Sequence, residues 1–218
     1  ALGALLPWEE GVVLLIDVGA NSDCKPIHLL QFGLMGSIYM EYIYEIPHPR
    51  VGLLNIGEEP TKGNELTLAT YTLMEKHLPN FVGNVEGRDV LQGKADVVVT
   101  DGFTGNVVLK FAESIIGVIG RSLKRKIKKN LFSMAGMLLV KPAFTAMKRR
   151  YDYEEYGGVP LLGIDGISII CHGSSTGKAL KNAIHVARIM GEKKVNSHIQ
   201  EELRVRGLLC DERQLLQA

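Results

Sequence analysis

Short runs of apolar, often β-branched residues recur along the chain. Each longer run is followed by a polar or glycine-rich loop. The four longer runs are VVLLID (12–17), RVGLLNI (50–56), ADVVVT (95–100) and GISIIC (166–171). Because nearly every position in these runs is apolar, the pattern predicts strands that are covered on both faces. A shorter run, FVGN, occupies 81–84.

A helical pattern follows each longer run. The helix after the first run is predicted from Pro26 to just before Pro47, because proline suits a first helical turn and ends a preceding one. Its apolar positions recur at four-residue spacing, at Leu30, Leu34 and Ile38. The later helices are predicted over 64–78, from Val107 onward, and over 178–190.

Four strand–loop–helix units in succession predict an α/β fold, with a parallel sheet covered by helices on both faces. In such sheets, ligands bind in the crevice beyond the carboxyl ends of the strands. The loops that follow the strands are therefore the places to look for chemistry.

Composition narrows the class of protein. The chain has 218 residues, of which 46% are apolar and 22% charged, as in soluble globular domains. The longest apolar run, 131–140, has ten residues, whereas a helix needs about 20 to span a bilayer. No membrane-spanning helix is therefore predicted. Three cysteines without C-x-x-C spacing suit a reducing compartment, and the first residues make a poor signal peptide. The expected location is cytoplasmic.

Two loop motifs suggest competing chemistries. GEEPTKGN (57–64) lacks the second glycine of a nucleotide P-loop, and no G-x-G-x-x-G follows any strand. GSSTG (173–177) matches the G-x-S-x-G elbow of serine hydrolases. Such an enzyme needs an acid and a histidine later in the chain, yet His185 and His198 fall inside helical patterns. A serine hydrolase stays an alternative.

A second interpretation of the same loops is anion binding. HGSST, DGFTGN and DVGANSD place small and capping residues at predicted helix starts, where free backbone N–H groups attract anions. Together they predict a pocket for phosphate or another oxyanion, while ordinary helix caps are the alternative. Asp17, Asp96 and Asp101 lie at strand ends without a histidine at ligand spacing, so no metal site is predicted.

Six longer motifs surround these loops. In order along the chain they are DVGANSDCKP (17–26), LLNIGEEPTKGNE (53–65), GNVEGRD (83–89), ADVVVTDGFTGNVVLK (95–110), DYEEYGGVPLLG (152–163) and HGSS (172–175). In the order and spacing of these motifs, from about residue 12 to about residue 190, the chain resembles a known family, the bacterial phosphate acyltransferases (acyl-acyl carrier protein:phosphate acyltransferases) of phospholipid synthesis.

The resemblance implies a Rossmann-like three-layer fold similar to phosphotransacetylases and isopropylmalate dehydrogenases. It implies transfer of a long-chain acyl group from acyl carrier protein to inorganic phosphate, giving acyl phosphate for a membrane glycerol-3-phosphate acyltransferase. It also implies a cytoplasmic, membrane-peripheral homodimer that needs no cofactor. The family has a further N-terminal segment with a glycine-rich DAMGGD-like loop, which this sequence lacks. A phosphotransacetylase and a non-catalytic docking module for membrane or carrier protein remain alternatives.

The resemblance also suggests roles for loop residues. Lys62 is the candidate to bind phosphate or stabilise the oxyanion, Asn106 to donate an amide hydrogen, and His172 to protonate the leaving thiolate. Because phosphate is itself a nucleophile, no serine acyl-enzyme is required. The expected phosphate and substrate ligands are Asp17, Asn21, Lys25, Asn64, Asp101, Gly102, Gly105, Gly173, Ser174 and Ser175.

Charge is distributed unevenly. Residues 121–150 contain ten Lys or Arg and no Asp or Glu, while the other 188 residues carry 15 basic and 24 acidic side chains. We therefore expect an α/β domain over 1–120 and 151–218 and a basic amphipathic segment over 121–150 that meets an anionic partner. Nucleic acid is not expected, because aromatic residues are sparse there and the remainder is acidic.

The apolar positions of this segment form one stripe at helical spacing. Three interpretations remain open: a packed helix with a solvated basic face, a hairpin turning near 136–142 that pairs with a second copy, or an interfacial helix that attracts anionic lipid and acidic carrier protein. The residues expected to make these contacts are Lys124, Ile127, Lys128, Leu131, Met134 and Leu138.

Overall fold

The computed structural model describes residues 1–127, 131–151, 155–173 and 175–209. The strands are β1 (Gly3–Pro7), β2 (Val12–Ile16), β3 (Val51–Asn55), β4 (Phe81–Glu86), β5 (Val97–Val99), β6 (Val159–Leu161) and β7 (Ser168–Ile170). The helices are α1 (Pro26–Tyr44), α2 (Glu65–His77), α3 (Gly102–Ile127), α4 (Leu131–Arg150), α5 (Gly177–Glu192) and α6 (Val195–Val205), with a 3₁₀ turn at Asp89–Leu91.

Five strands form the central sheet in the order β1-β2-β5-β3-β4. β2, β5, β3 and β4 run parallel, and β1 pairs antiparallel with β2 along the edge. All five positions of β3 are buried, as are four of the five in β2. The prediction of an α/β fold on a mostly parallel sheet is therefore confirmed.

Helices cover both faces of the sheet. On one face α1 buries Leu30, Leu34 and Ile38 in a core that includes residues of β2, β3, β5 and α6. On the other face Val13 and Val98 lie in a second core, against which α3 packs. The four-residue spacing that predicted α1 thus marks its buried face, and the result is a three-layer arrangement.

The fourth predicted unit departs from the parallel sheet. The run 166–171 does contain a strand, β7, but β7 pairs antiparallel with β6 in a separate two-stranded ribbon. An isolated bridge from Leu161 to Leu2 joins this ribbon to the main sheet. The prediction of four parallel units is wrong here, because an apolar run indicates a strand without its direction or partner.

Two boundaries also differ from expectation. β1 is an edge strand within the first residues of the chain, where no strand was predicted. α3 begins at Gly102, five residues before the predicted start at Val107, so DGFTGN forms its first turn rather than a loop. The Asp101 carboxylate caps this turn by accepting hydrogen bonds from the backbone N–H and the hydroxyl of Thr104, at 2.8 and 2.7 Å.

The described part of the basic segment, 121–127 and 131–150, lies on two contacting helices, α3 and α4. Residue 121 falls within α3, and Gly136 and Pro142 both fall inside α4. A hairpin turn near 136–142 is therefore wrong. A single glycine costs a helix only about 1 kcal/mol, so the residue type alone does not mark a turn. The predicted single stripe is divided between the two helices.

α3 leaves most of its surface outside the core. Its buried residues are Gly102 and Gly105, and by length and composition alone it could cross a membrane, with an 18-residue window of mean hydropathy 1.3. The sequence-based expectation of no spanning helix considered only uninterrupted apolar runs. Lys110 and Glu113, which pair at 3.1 Å, interrupt the apolar surface of this helix.

The first turn of α3 requires glycine because of a close approach to the loop after β2. A Cβ on Gly105 would lie 1.8 Å from the Asp17 carbonyl oxygen, whereas one on Gly120, in the same helix, would meet nothing within 4 Å. We expect Gly105→Ala to lower the free energy of unfolding by about 3 kcal/mol. Gly120→Ala should raise it by up to about 1 kcal/mol through helix propensity. Urea unfolding measures both, and equal effects would contradict this packing.

Candidate active site

The carboxyl ends of β2, β5 and β3 meet at one edge of the sheet. The segments that follow them are the loop 17–25, the start of α3, and the loop 56–64. Neighbouring strands are about 4.8 Å apart, so the ends of β2 and β3, on either side of β5, are about 10 Å apart. This edge brings together the residues predicted on three of the four loops.

Asp17 shapes the loop after β2 from inside. Its fully buried carboxylate accepts hydrogen bonds from the backbone amides of Leu2, Gly19, Ala20 and Asn21 at 2.7–3.1 Å, and from the Asn21 side chain at 2.8 Å. Burial by itself would raise the pKa of Asp17, but these donors outweigh burial and hold the pKa below its ordinary value. The ionised carboxylate faces its own loop, so it organises the edge.

The same loop fixes the start of α3. The backbone N–H of Gly102 donates to the Asn21 carbonyl at 2.7 Å, and a Cβ on Gly102 would meet the Asn21 backbone at 2.7–3.0 Å. The N–H groups of Thr104 and Gly105 already donate to Asp101. Several of the backbone amides that were predicted to bind an anion therefore donate to capping groups instead.

Asn106 is an exposed polar side chain at this edge. It lies on α3, and a Cβ on Gly19 would be 3.8 Å from the Asn106 side chain, so the two segments are in contact distance. Lys25 is also exposed and precedes α1, where its N–H donates to His28 Nδ1 at 3.2 Å. Burial, aided by the Lys25 charge, lowers the pKa of His28, which favours the neutral ring that accepts this bond.

Two buried asparagines hold the loop that carries Lys62. Asn55, at the end of β3, donates from Nδ2 to the Lys62 carbonyl at 2.9 Å. Asn84, on β4, donates from Nδ2 to the Glu59 carbonyl at 2.8 Å, and the Lys62 N–H donates to that same carbonyl at 3.0 Å. Asn64 is the N-cap of α2 and accepts from the Thr67 N–H at 2.9 Å. The loop therefore has fixed ends.

The Lys62 side chain is left exposed by this loop, and within the described ranges it forms no ion pair. A Cβ on Gly57 would lie 2.9 Å from Lys62 Cγ, so the lysine stem lies along the start of its own loop. Glu58 is paired with Lys94 at 3.0 Å, which offsets one of the two acidic charges nearby. The arrangement presents a cation at the carboxyl edge.

The loop with His172 lies elsewhere. β7 runs in the same direction as β1, away from the carboxyl edge, and His172 follows Ser168 by about 13 Å of extended chain. The structure does not bring His172, Gly173 and Ser175 to the edge that carries Lys62, and Ser174 lies outside the described residues. The side chain of Thr176 caps α5, accepting from the Ala179 N–H at 3.5 Å.

The serine hydrolase interpretation gains no triad from this arrangement. GSSTG follows a strand of the antiparallel ribbon, whereas an elbow sits on a parallel sheet. His185 contacts Arg188 at 3.3 Å on the exposed side of α5, and His198 stacks on Tyr42 with ring centroids 4.1 Å apart. Neither histidine is positioned by the strand ends where a triad member would stand.

Other chemistries find little support among the described residues. Across 1–127, 131–151, 155–173 and 175–209, no three His, Cys, Asp or Glu side chains cluster closely enough to hold a metal ion. Cys24 donates from Sγ to the Asn21 carbonyl at 3.3 Å, and burial raises the pKa of its thiol, which disfavours a thiolate nucleophile.

The predicted contact residues of the basic segment lie on both helices. Lys124 and Ile127 are in the last turn of α3, while Met134 and Leu138 are on α4, where Leu138 is 72% exposed. Lys128 and the Leu131 side chain lie outside the description.

Comparison with known proteins identifies the family of this chain. A family model described as "fatty acid synthesis protein" matches residues 1–198, most of the chain. The chain belongs to the fatty acid synthesis protein family. The matched range includes the strand ends, the Lys62 loop and the start of α3.

Relatives in this family carry the name phosphate acyltransferase. Those of Pelotomaculum thermopropionicum and Heliobacterium modesticaldum are each 53% identical to this chain, over 210 and 203 residues, or 95% and 93% of it. The relative in Desulforamulus reducens is 51% identical over 207 residues. In each case the match covers 61% of the relative, so the chain spans about three fifths of the length of these family members.

Sequence reasoning missed the two asparagines that hold the Lys62 loop. Asn55 and Asn84 both stand within the motifs LLNIGEEPTKGNE and GNVEGRD. A polar amide inside an otherwise apolar strand is a usable signal, because an unsatisfied buried amide costs free energy and so requires a partner.

The buried carboxylate of Asp17 gives a prediction with a defined pH dependence. Asp17→Asn removes an ionised acceptor of five hydrogen bonds and should lower the free energy of unfolding by about 3 kcal/mol near neutral pH. Because the folded pKa is lowered, this stabilisation is present above the unfolded pKa of about 3.9 and is lost as the pH falls through the folded pKa.

Urea unfolding of both proteins from neutral pH down to about pH 2 measures this difference. The gap in unfolding free energy should narrow below about pH 4. A gap that stays constant with pH would show that the Asp17 carboxylate is not the charged acceptor seen in the structure.

Proposed function

We propose that this chain supplies the phosphate-binding part of an acyltransferase that moves a long-chain acyl group from acyl carrier protein to inorganic phosphate. The observation that carries the proposal is the exposed Lys62, held on a fixed loop at the carboxyl edge of the sheet. That edge is where ligands bind in open α/β folds. The name shared by the relatives supports the choice of phosphate as acceptor.

The proposed step is attack by a phosphate oxygen on the thioester carbonyl. A carbon–oxygen bond forms, the carbon–sulfur bond breaks, and the electron pair leaves on the thiolate of the carrier. The proton of hydrogenphosphate is transferred to that thiolate, so the products are acyl phosphate and free thiol. No cofactor or metal enters this balance.

In this step, Lys62 would hold the phosphate or stabilise the negative charge on the carbonyl oxygen, and Asn106 would donate an amide hydrogen across the edge. A fixed cation is effective because it needs no reorganisation as charge develops. Because β7 runs away from the carboxyl edge, we assign the phosphate to the Lys62 edge alone and give His172 no direct role there.

The proposal extends to location and partners. We infer a cytoplasmic protein that meets the surface of an anionic membrane and an acidic acyl carrier protein, works as a homodimer, and delivers acyl phosphate to a membrane glycerol-3-phosphate acyltransferase. The support is the surface of α3 and α4, where large apolar side chains are exposed beside cations. Those apolar side chains include Phe111, Ile115, Ile119, Phe132, Leu138 and Leu139.

One further candidate is a docking module for membrane or carrier protein without activity of its own, which the exposed apolar side chains of α3 and α4 favour. Incubation with palmitoyl-acyl carrier protein, with and without phosphate, separates the two when hydroxylamine traps any acyl phosphate. Hydroxamate that requires both phosphate and protein is the expected result. Carrier binding without hydroxamate would favour the docking module, and thioester loss without phosphate would favour a hydrolase.

The same assay tests Lys62. Lys62→Ala should lower the phosphate-dependent rate at least about a hundredfold, the size expected for one fixed electrostatic group. Lys76→Ala is the matched control, because Lys76 lies in the last turn of α2, at the opposite edge of the sheet. Unchanged turnover in Lys62→Ala would remove Lys62 from the site.

Membrane association can be tested on an exposed apolar side chain of α4. Leu139 is 86% exposed, and Leu139→Ser should weaken binding to anionic vesicles about tenfold, which corresponds to about 1.4 kcal/mol of lost burial. Ile184→Ser on α5, where Ile184 is 71% exposed, is the matched control and should leave binding unchanged.

Vesicle flotation measures both variants. The unmodified chain should bind anionic vesicles more tightly than neutral ones because of the cations beside this surface. Equal binding to neutral and anionic vesicles would contradict the electrostatic contribution, and equal loss in both variants would contradict the assignment to α4.

A further inference from the structure

Asn84 is a buried polar residue in the middle of an apolar strand. It is 2% exposed and lies on β4 beside Leu53 of β3. Among the described residues, the side-chain oxygen of Asn84 has no hydrogen-bond partner, and its Nδ2 donates to the Glu59 carbonyl. A buried acceptor without a partner lowers stability, so an apolar residue would suit the strand better. The Asn84 side chain therefore stabilises the loop, through its bond to Glu59, rather than the strand in which it lies.

The Glu59 carbonyl ties Asn84 directly to Lys62. It accepts from Asn84 Nδ2 at 2.8 Å and from the Lys62 N–H at 3.0 Å, which closes the turn between the two loop residues. On the other side, Asn55 holds the Lys62 carbonyl at 2.9 Å. The backbone of Lys62 is thus fixed by two strands, through Asn55 directly and through Asn84 by way of Glu59.

We propose that Asn84 is a positioning residue, which holds the turn from Glu59 to Lys62 so that the Lys62 ammonium group stands ready for phosphate at the carboxyl edge. The inference rests on the proposed role of Lys62 as the phosphate ligand. In this proposal Asn84 acts indirectly, by holding the Glu59 carbonyl, and does not itself contact the phosphate. A fixed loop loses less conformational entropy when an anion binds, which is why the constraint strengthens binding.

Asn84→Leu tests the inference, because leucine has the same number and branching of side-chain heavy atoms and removes both the loop donor and the orphan acceptor. Its thermal stability should equal or exceed that of the unmodified chain, while phosphate binding weakens about tenfold. A purely structural role would instead lower stability and leave phosphate binding intact. Asn84→Ala is the second variant, should leucine not fit.

Asn80→Ala is the matched control, because Asn80 lies just before the other end of the same strand. Asn80 Nδ2 donates to Ser37 Oγ at 2.9 Å and to the Pro49 carbonyl, far from the Lys62 loop. Losing these bonds should lower stability without changing phosphate binding. Asn84→Leu should therefore weaken phosphate binding without lowering stability, and Asn80→Ala should lower stability without weakening phosphate binding.

The readout is protection of Lys62 by inorganic phosphate from acetylation with a water-soluble succinimidyl ester, followed by peptide mass spectrometry, with Lys76 as internal reference. This readout needs no acyl transfer. Protection in the unmodified chain, with a phosphate midpoint about tenfold higher in Asn84→Leu and unchanged in Asn80→Ala, supports the inference.

The outcomes that overturn it are distinguishable. An unchanged midpoint in a folded Asn84 variant overturns the positioning role alone and leaves the proposed function standing. Absence of phosphate protection in the unmodified chain overturns both, since the loop would then hold a lysine that phosphate does not reach. Amide exchange at Lys62, expected to be faster in Asn84→Leu, provides an independent measure of the released turn.

Discussion

The buried carboxylate of Asp17 is the group around which the carboxyl edge of the sheet is built. Four backbone amides and one side-chain amide donate to it, and they come from the segment before β1 and from the loop after β2. A charge in a buried position is tolerable only when donors replace the lost water, so the loop has little freedom to adopt another shape. The start of α3 then packs on this loop, because Gly102 and Gly105 leave room for the backbone of Asn21 and Asp17. The loop after β2 thus depends on Asp17, and the start of α3 depends on that loop.

This dependence explains what stays free for chemistry. Capping and loop closure use the carboxylates of Asp17 and Asp101 and several amides at the start of α3. The neighbouring Lys62 loop is held by amide side chains that bind its carbonyls and leave the lysine side chain outside. A cation on a fixed backbone, at the same edge as the exposed Asn106, is an arrangement that can hold an inorganic anion. At this one edge, the carboxylates of Asp17 and Asp101 hold the structure, while the side chains of Lys62 and Asn106 are exposed to a ligand.

Periodicity alone predicted the fold class, the core strands β2, β3 and β5, and the buried face of α1. Buried strands and an amphipathic helix have short-range patterns, so a single sequence reveals them. It did not predict β1, whose five residues end in Pro7, or the direction of β7, because strand partners are set by distant contacts. The start of α3 was missed for a related reason: Gly102 and Gly105 look like loop residues but serve close packing. Among the site residues, the prediction of a parallel sheet was enough to place Lys62 at the carboxyl edge. Asn55 and Asn84 were identified only from their contacts in the structure.

Phosphate binding at the edge formed by the loop after β3 and the start of α3 is tested most directly by titrating inorganic phosphate into the isotopically labelled chain and following it by amide NMR. The amides of residues 57–59, 61–64 and 102–106, which belong to those two segments, should shift. Shifts confined to residues 172–177, or no saturable shift at all, would contradict it.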